Sequence, residues 1–117
     1  MVYEKHFKRT LIHAHDMGRT FIFAIANADK KRGQIYNVGS DKLNFSKEEV
    51  CKLIESKVKC YVHYAEMGED ADKRNYAVSY NKLNSLGYDT MISVEQGIAE
   101  LVKGIQVLSF KNPYCNV

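Results

Sequence analysis

The clearest periodicity in the chain begins at Asp16, after which Met17, Phe21, Ala24, Ile25 and Ala28 recur at three- and four-residue steps. That is the spacing of one helix face. It predicts a helix with Asp16 as its N-cap and the basic, glycine-ended run "KKRG" at 30–33 as its stop. Residues 2–13 place β-branched and aromatic side chains among basic ones, which predicts one or two short strands. Ile35, Tyr36 and Val38 form a β-prone run closed by Gly39 and Ser40, so 34–40 reads as a strand leading into a loop. Ser46 with Glu49 three residues on is a capping box, and Val50, Leu53 and Ile54 supply an apolar face behind it. A helix over 47–57 follows from that pattern.

The second half repeats the same vocabulary. Residues 59–67, "KCYVHYAEM", read as a strand with Cys60 as inert core, and 68–75, "GEDADKRN", as a charged loop. Ser79 is placed to cap a short helix that buries Leu83 and Leu86 and stops at Gly87. Ser93 with Gln96 makes a second capping box, opening a helix with Val94, Ile98, Leu101, Val102 and Ile105 on its apolar side. Both long apolar stripes, Phe21 to Ala28 and Ile98 to Ile105, are expected to be core. The order is β, α, β, α, β, loop, α, α: a small open α/β domain of short strands and about four helices over 1–110. Residues 111–117, with no periodicity and the chain's one proline at Pro113, are a tail.

Composition narrows the function classes. The 117 residues are 45% hydrophobic and 26% charged, enough for one small core. A net charge of +3 spread among interspersed signs argues against a nucleic-acid arm, yet suits an anionic small molecule held by one or two arginines. Cys51, Cys60 and Cys115 are odd in number and lack C-x-x-C spacing, so neither a disulfide nor a zinc framework is expected and the compartment reads as reducing cytoplasm. No apolar run approaches the roughly 20 residues that span a bilayer, so no membrane association is expected. His13 and His15 share one side of an extended segment, but an H-x-H without further ligands at recognisable spacing is a poor metal site.

Four segments in order carry a resemblance. "RTLIHAHDMGRTFIFAI" (9–25) resembles the R-x-[FYLI]-[IV]-[HY]-x-x-D run of the extended short-chain dehydrogenase/reductases, the NAD-dependent nucleotide-sugar epimerases and dehydratases. "GQIYNVGS" (33–40) resembles the strand that follows in that family. "DKRNYAVSYNKLNSLGY" (72–88) resembles its D-x-R-x-x-x-x-[DS]-x-x-K-x-x-x-LG[FYW] stretch, and "SVEQGIAELV" (93–102) its closing helix. No glycine-rich dinucleotide loop occurs, and no tyrosine has a lysine four positions later, so both hallmarks of the family's redox half are missing. The resemblance therefore implies the C-terminal, substrate-binding lobe without its Rossmann half. No catalytic residue is expected in this chain, and NAD(P) would belong to the intact enzyme.

The same resemblance implies that Arg9 and Arg74 contact the nucleotide and pyrophosphate of a nucleotide-sugar substrate. A planar guanidinium can hold two phosphate oxygens at once. Without the resemblance, Arg74 is a surface arginine paired with Asp70 or Asp72, and Arg9 the solvent-facing residue of a strand that turns inward at Leu11. The partners implied are the substrate and the missing Rossmann domain. The oligomeric state stays open, a homo-oligomer among the alternatives. The rival class is a non-enzymatic small α/β binding or scaffold module whose arginines meet an acidic partner.

Overall fold

The computed structural model describes residues 1–109 and Asn112, so the tail at 111–117, Asn112 apart, and Cys115 with it lie outside the described residues. The fold is a small α/β arrangement. Strand β1 (Lys8–Thr10) pairs antiparallel with β2 (Asn44–Ser46), with Arg9 opposite Phe45. Helix α1 (Ala14–Ala26) follows β1, and a single-turn helix α2 (Ala28–Lys31) follows it after a break at Asn27. A 3-10 turn (Asp41–Leu43) leads into β2, which runs directly into α3 (Lys47–Glu55). A short α4 (Asn81–Asn84) and a long α5 (Val94–Val107) complete it.

Both capping boxes form. The Ser46 hydroxyl accepts from the Glu49 amide while the Glu49 carboxylate accepts from the Ser46 amide at 2.7 Å, and Ser93 and Gln96 repeat the exchange at the start of α5. Each box satisfies two of the N–H groups that a helix start leaves without a partner. Gly87, at φ +87°, follows α4 as expected.

Several expectations are corrected. His13, not Asp16, caps α1: its Nδ1 accepts from the His15 amide at 3.2 Å. Asp16 lies inside the first turn because its carboxylate is drawn into a tertiary contact, accepting from the Met91 and Ile92 amides. Tyr80, whose side chain makes no capping bond to α4, takes the cap position expected of Ser79, and Leu86 is partly exposed. Residues 34–40 form no strand, since no described strand lies alongside them. Lys82 instead pins the run, donating to Gln34 Oε1 and the Ile35 carbonyl, and Asn37 donates to the Ser79 carbonyl. Residues 59–67 form no strand; one parallel bridge, Tyr64 to Val2, is all the pairing they make, and Cys60 is exposed.

The core is small. Leu43, Tyr80, Leu83, Tyr88 and Ile98 are buried, with Asp16, Thr20 and Ser40 as buried polar groups. Asp16 and Thr20 are satisfied by their neighbours: the Tyr88 hydroxyl donates to the Asp16 carbonyl at 2.6 Å and accepts from Thr20 at 2.7 Å. Tyr80 packs against Gly39, where a Cβ would stand 2.7 Å from the ring, and its hydroxyl bonds to Thr10 on β1. The Asn44 amide side chain grips both the N–H and the C=O of Val78, tying 75–80 to the sheet without a third strand. By contrast, Phe21 and Ile25 on α1 and Leu101 and Ile105 on α5, expected to be core, are exposed. Their stripes are helical, as the spacing predicted, but no described element covers them.

Candidate functional site

Arg9 sits at the centre of β1, where ladder pairing with Phe45 fixes its backbone. Its guanidinium turns toward the 68–75 loop: Nη2 donates to the Asp72 carbonyl at 2.9 Å and lies 3.4 Å from the Asp72 carboxylate, while Nη1 donates to the Lys8 carbonyl. The Tyr76 ring lies 6.0 Å from it. Arg74 approaches the same aspartate from the other side. Its Nε and Nη2 donate to the two carboxylate oxygens of Asp72, at 2.6 Å each, in a fork-to-fork pair. The two arginines singled out in the sequence, 65 positions apart, thus meet on one carboxylate.

The loop reaches this shape by two successive aspartate turns. Asp70 Oδ1 accepts from the Asp72 amide, and Asp72 Oδ1 accepts from the Arg74 amide, each carboxylate bonding the backbone two residues on. Lys47, at the first position of α3, anchors the first turn by an ion pair to Asp70 and a bond to the Tyr3 carbonyl. Electrostatics follow from the pairing. Arg74's hydrogen bonds, with Arg9 adding to them, hold the Asp72 carboxyl far below the usual carboxylate range, and Asp72 raises Arg74 in turn. Lys47 lowers Asp70 in the same way.

Beside the cluster opens a concavity of about 460 Å³ with Leu11, Phe45 and Val50 on its apolar wall and Arg9, Lys47 and Asp70 among its polar residues. Arg74 is not among its lining residues; it stands at 69% exposure, held by the loop. The arrangement can hold an anion by charge and by forked hydrogen bonds, with apolar surface next to it for a ring. Lys47, Asp70 and Asp72 were not singled out as site residues in the sequence. The alternation Asp70, Asp72, Arg74 was the signal that could have found the last two, because aspartates spaced by two are set up for consecutive turns. A second concavity of about 420 Å³ lies elsewhere, between α1 and the 34–38 run, and contains neither arginine.

A dinucleotide pyrophosphate does not fit the strand-to-helix turns described here. β1 enters α1 through Leu11, Ile12 and His13, and β2 enters α3 with no intervening residue, so neither turn has the glycines that let backbone approach phosphate. Among the described residues no group of three His, Cys, Asp or Glu side chains could hold a metal ion, and no helix is long and apolar enough to cross a membrane. His13 is instead occupied on both ring nitrogens, with Nε2 at 3.1 Å from Glu100.

No protein-family model matches the chain. Over 96 residues it is 26% identical to a CDP-paratose 2-epimerase of Salmonella typhi, a stretch that covers 80% of this chain. The chain spans about 28% of the length of that curated relative.

Proposed function

We propose that this chain is the substrate-binding portion of an NAD(P)-dependent nucleotide-sugar epimerase or dehydratase, the C-terminal lobe of an extended short-chain dehydrogenase/reductase. Arg9 and Arg74 grip the nucleotide diphosphate of the sugar, and a dinucleotide-binding domain outside this chain carries out hydride transfer. The observation that supports this reading best is the meeting of Arg9 and Arg74 at one anionic group, next to a concavity with an apolar wall. Similarity to a CDP-paratose 2-epimerase supports the substrate class. In such an enzyme this portion contributes position rather than chemistry, and good positioning can replace about 7 to 11 kcal/mol of entropic barrier.

The test is calorimetric titration of a CDP-hexose into wild type, Arg74→Ala and Arg74→Lys, with thermal melting of each. Losing one charge-assisted bond to phosphate costs about 1.5 to 3 kcal/mol, so Arg74→Ala is expected to bind roughly ten- to a hundredfold more weakly. Arg74→Lys keeps the charge but not the fork and recovers part of the affinity. Melting should barely change, because Arg74 is exposed and its bonds stay within two residues. Unaltered binding by Arg74→Ala, or a melting point many degrees lower, removes Arg74 from the diphosphate site. A chain indifferent to every nucleotide that binds an acidic protein instead is the small α/β scaffold module.

A further inference from the structure

We infer that Asp72 is a tethered stand-in for the anionic ligand, holding the Arg74 fork closed until a diphosphate displaces its carboxylate. The inference rests on the nucleotide-diphosphate reading of Arg9 and Arg74. It starts from occupancy: the Nε and Nη2 donors of Arg74, the edge best shaped for a phosphate, are both spent on Asp72. With Asp72 in place, two arginines and one aspartate leave a net +1, and the carboxylate repels any anion approaching the same donors.

The surroundings let this carboxylate yield without unmaking the fold. Asp72 is 37% exposed, and among the described residues its carboxylate takes hydrogen bonds only from Arg74, two residues away; Arg9 stands off at 3.4 Å. The long-range tie from Arg9 goes to the Asp72 backbone carbonyl and survives rotation of the side chain. Upstream, the loop is held separately by Lys47 on Asp70. Asp16 shows the opposite case: its carboxylate is out of solvent and bonded to amides 75 and 76 positions away, so it cannot be exchanged for a ligand. A pre-positioning role for Asp72 is the weaker alternative, because an exposed two-residue ion pair restrains an arginine little.

Exposed ion pairs of this kind shift equilibria by up to about fivefold, which sets the size of the effect. Inorganic pyrophosphate and a CDP-hexose are titrated into the full chain as wild type, Asp72→Asn, Arg74→Ala, the double variant, and Glu69→Gln as a control for loop charge. Asp72→Asn is expected to tighten both ligands about two- to fivefold at low ionic strength, with the gain shrinking in high salt. Most of that gain should vanish in the Arg74→Ala background, and Glu69→Gln should not reproduce it. Weaker binding by Asp72→Asn, or an equal gain with and without Arg74, overturns the stand-in. If wild type binds the CDP-hexose through Arg74 yet Asp72→Asn gains nothing, the stand-in alone falls. If no variant binds either ligand, the site reading falls with it.

Discussion

Asp16 carries a charge into a place that solvent does not reach, and the fold compensates it from three directions. The Ile92 amide donates at 2.9 Å, the Met91 amide at 3.1 Å, and Arg19 at 2.5 Å from one turn along α1. Burial pushes the carboxyl up, but these donors together outweigh it and hold it below its ordinary value. Asp16→Asn puts an N–H₂ among donors and leaves part of the set unsatisfied, so it is expected to destabilise by about 2 to 4 kcal/mol. The pH dependence has a definite sign. A carboxyl whose folded value is depressed contributes stability above its unfolded value, near 3.8, and loses it as pH falls further through the folded value. Denaturant melts of wild type and Asp16→Asn should therefore differ most near neutral pH and converge below about pH 3.8. A gap that stays constant down to pH 2.5 would show that shape, not charge, is what the position needs. Asp16 also marks a limit of sequence reading. An aspartate ahead of an apolar stripe has the look of a cap, and only the partners at 91 and 92, distant in sequence, show why it is not one.

At the scale of elements, what was legible was what the chain settles within four residues. The boxes Ser46 to Glu49 and Ser93 to Gln96 close on themselves, so the starts of α3 and α5 could be placed to the residue. Strands need a second segment, and no local pattern says whether one arrives. The β-prone runs at 34–40 and 59–67 form no ladder among the described residues, while the short β1 and β2 find each other across 33 intervening residues. The candidate site divides the same way. Arg9 and Arg74 were reached through a family resemblance, whereas their meeting at Asp72 depends on loop geometry that a list of residues does not contain. The capping argument yields its own expectation. Ser93→Ala removes the acceptor for the Gln96 amide, which costs about 1 kcal/mol and lowers the melting point by roughly 4 °C. Amide exchange should quicken in the first turn of α5 and stay unchanged in α3. Equal quickening in both helices would mean that α5 folds with the whole chain and not as a locally capped unit.

For the whole molecule, surface area is the informative quantity. The chain exposes 9009 Å², whereas a compact monomer of 13.4 kDa is expected to expose roughly 6,500 Å², an excess of roughly 2,500 Å². Its radius of gyration, 16.9 Å, likewise exceeds the roughly 13 Å of a compact domain this long. Apolar side chains contribute to the exposed surface: Phe21 is 66% and Ile25 77% exposed on α1, Leu101 66% and Ile105 63% on α5. Stable assemblies commonly bury areas of that order between subunits or domains, and an isolated chain with such patches is prone to associate. Purified alone, the chain is expected to bind an apolar-sensing dye and to show a sedimentation coefficient that rises with concentration. Phe21→Glu combined with Ile105→Lys should abolish both while leaving the melting point within a few degrees of wild type, because both side chains are mostly exposed. The Tyr88 and Asp16 network lies under α1 and is untouched by the pair, so a drop in melting point would show that the stripes fold inward in solution. A wild-type chain that stays monomeric and dye-negative at high concentration would count against a large docking surface, and with it against the two-part organisation proposed for the enzyme.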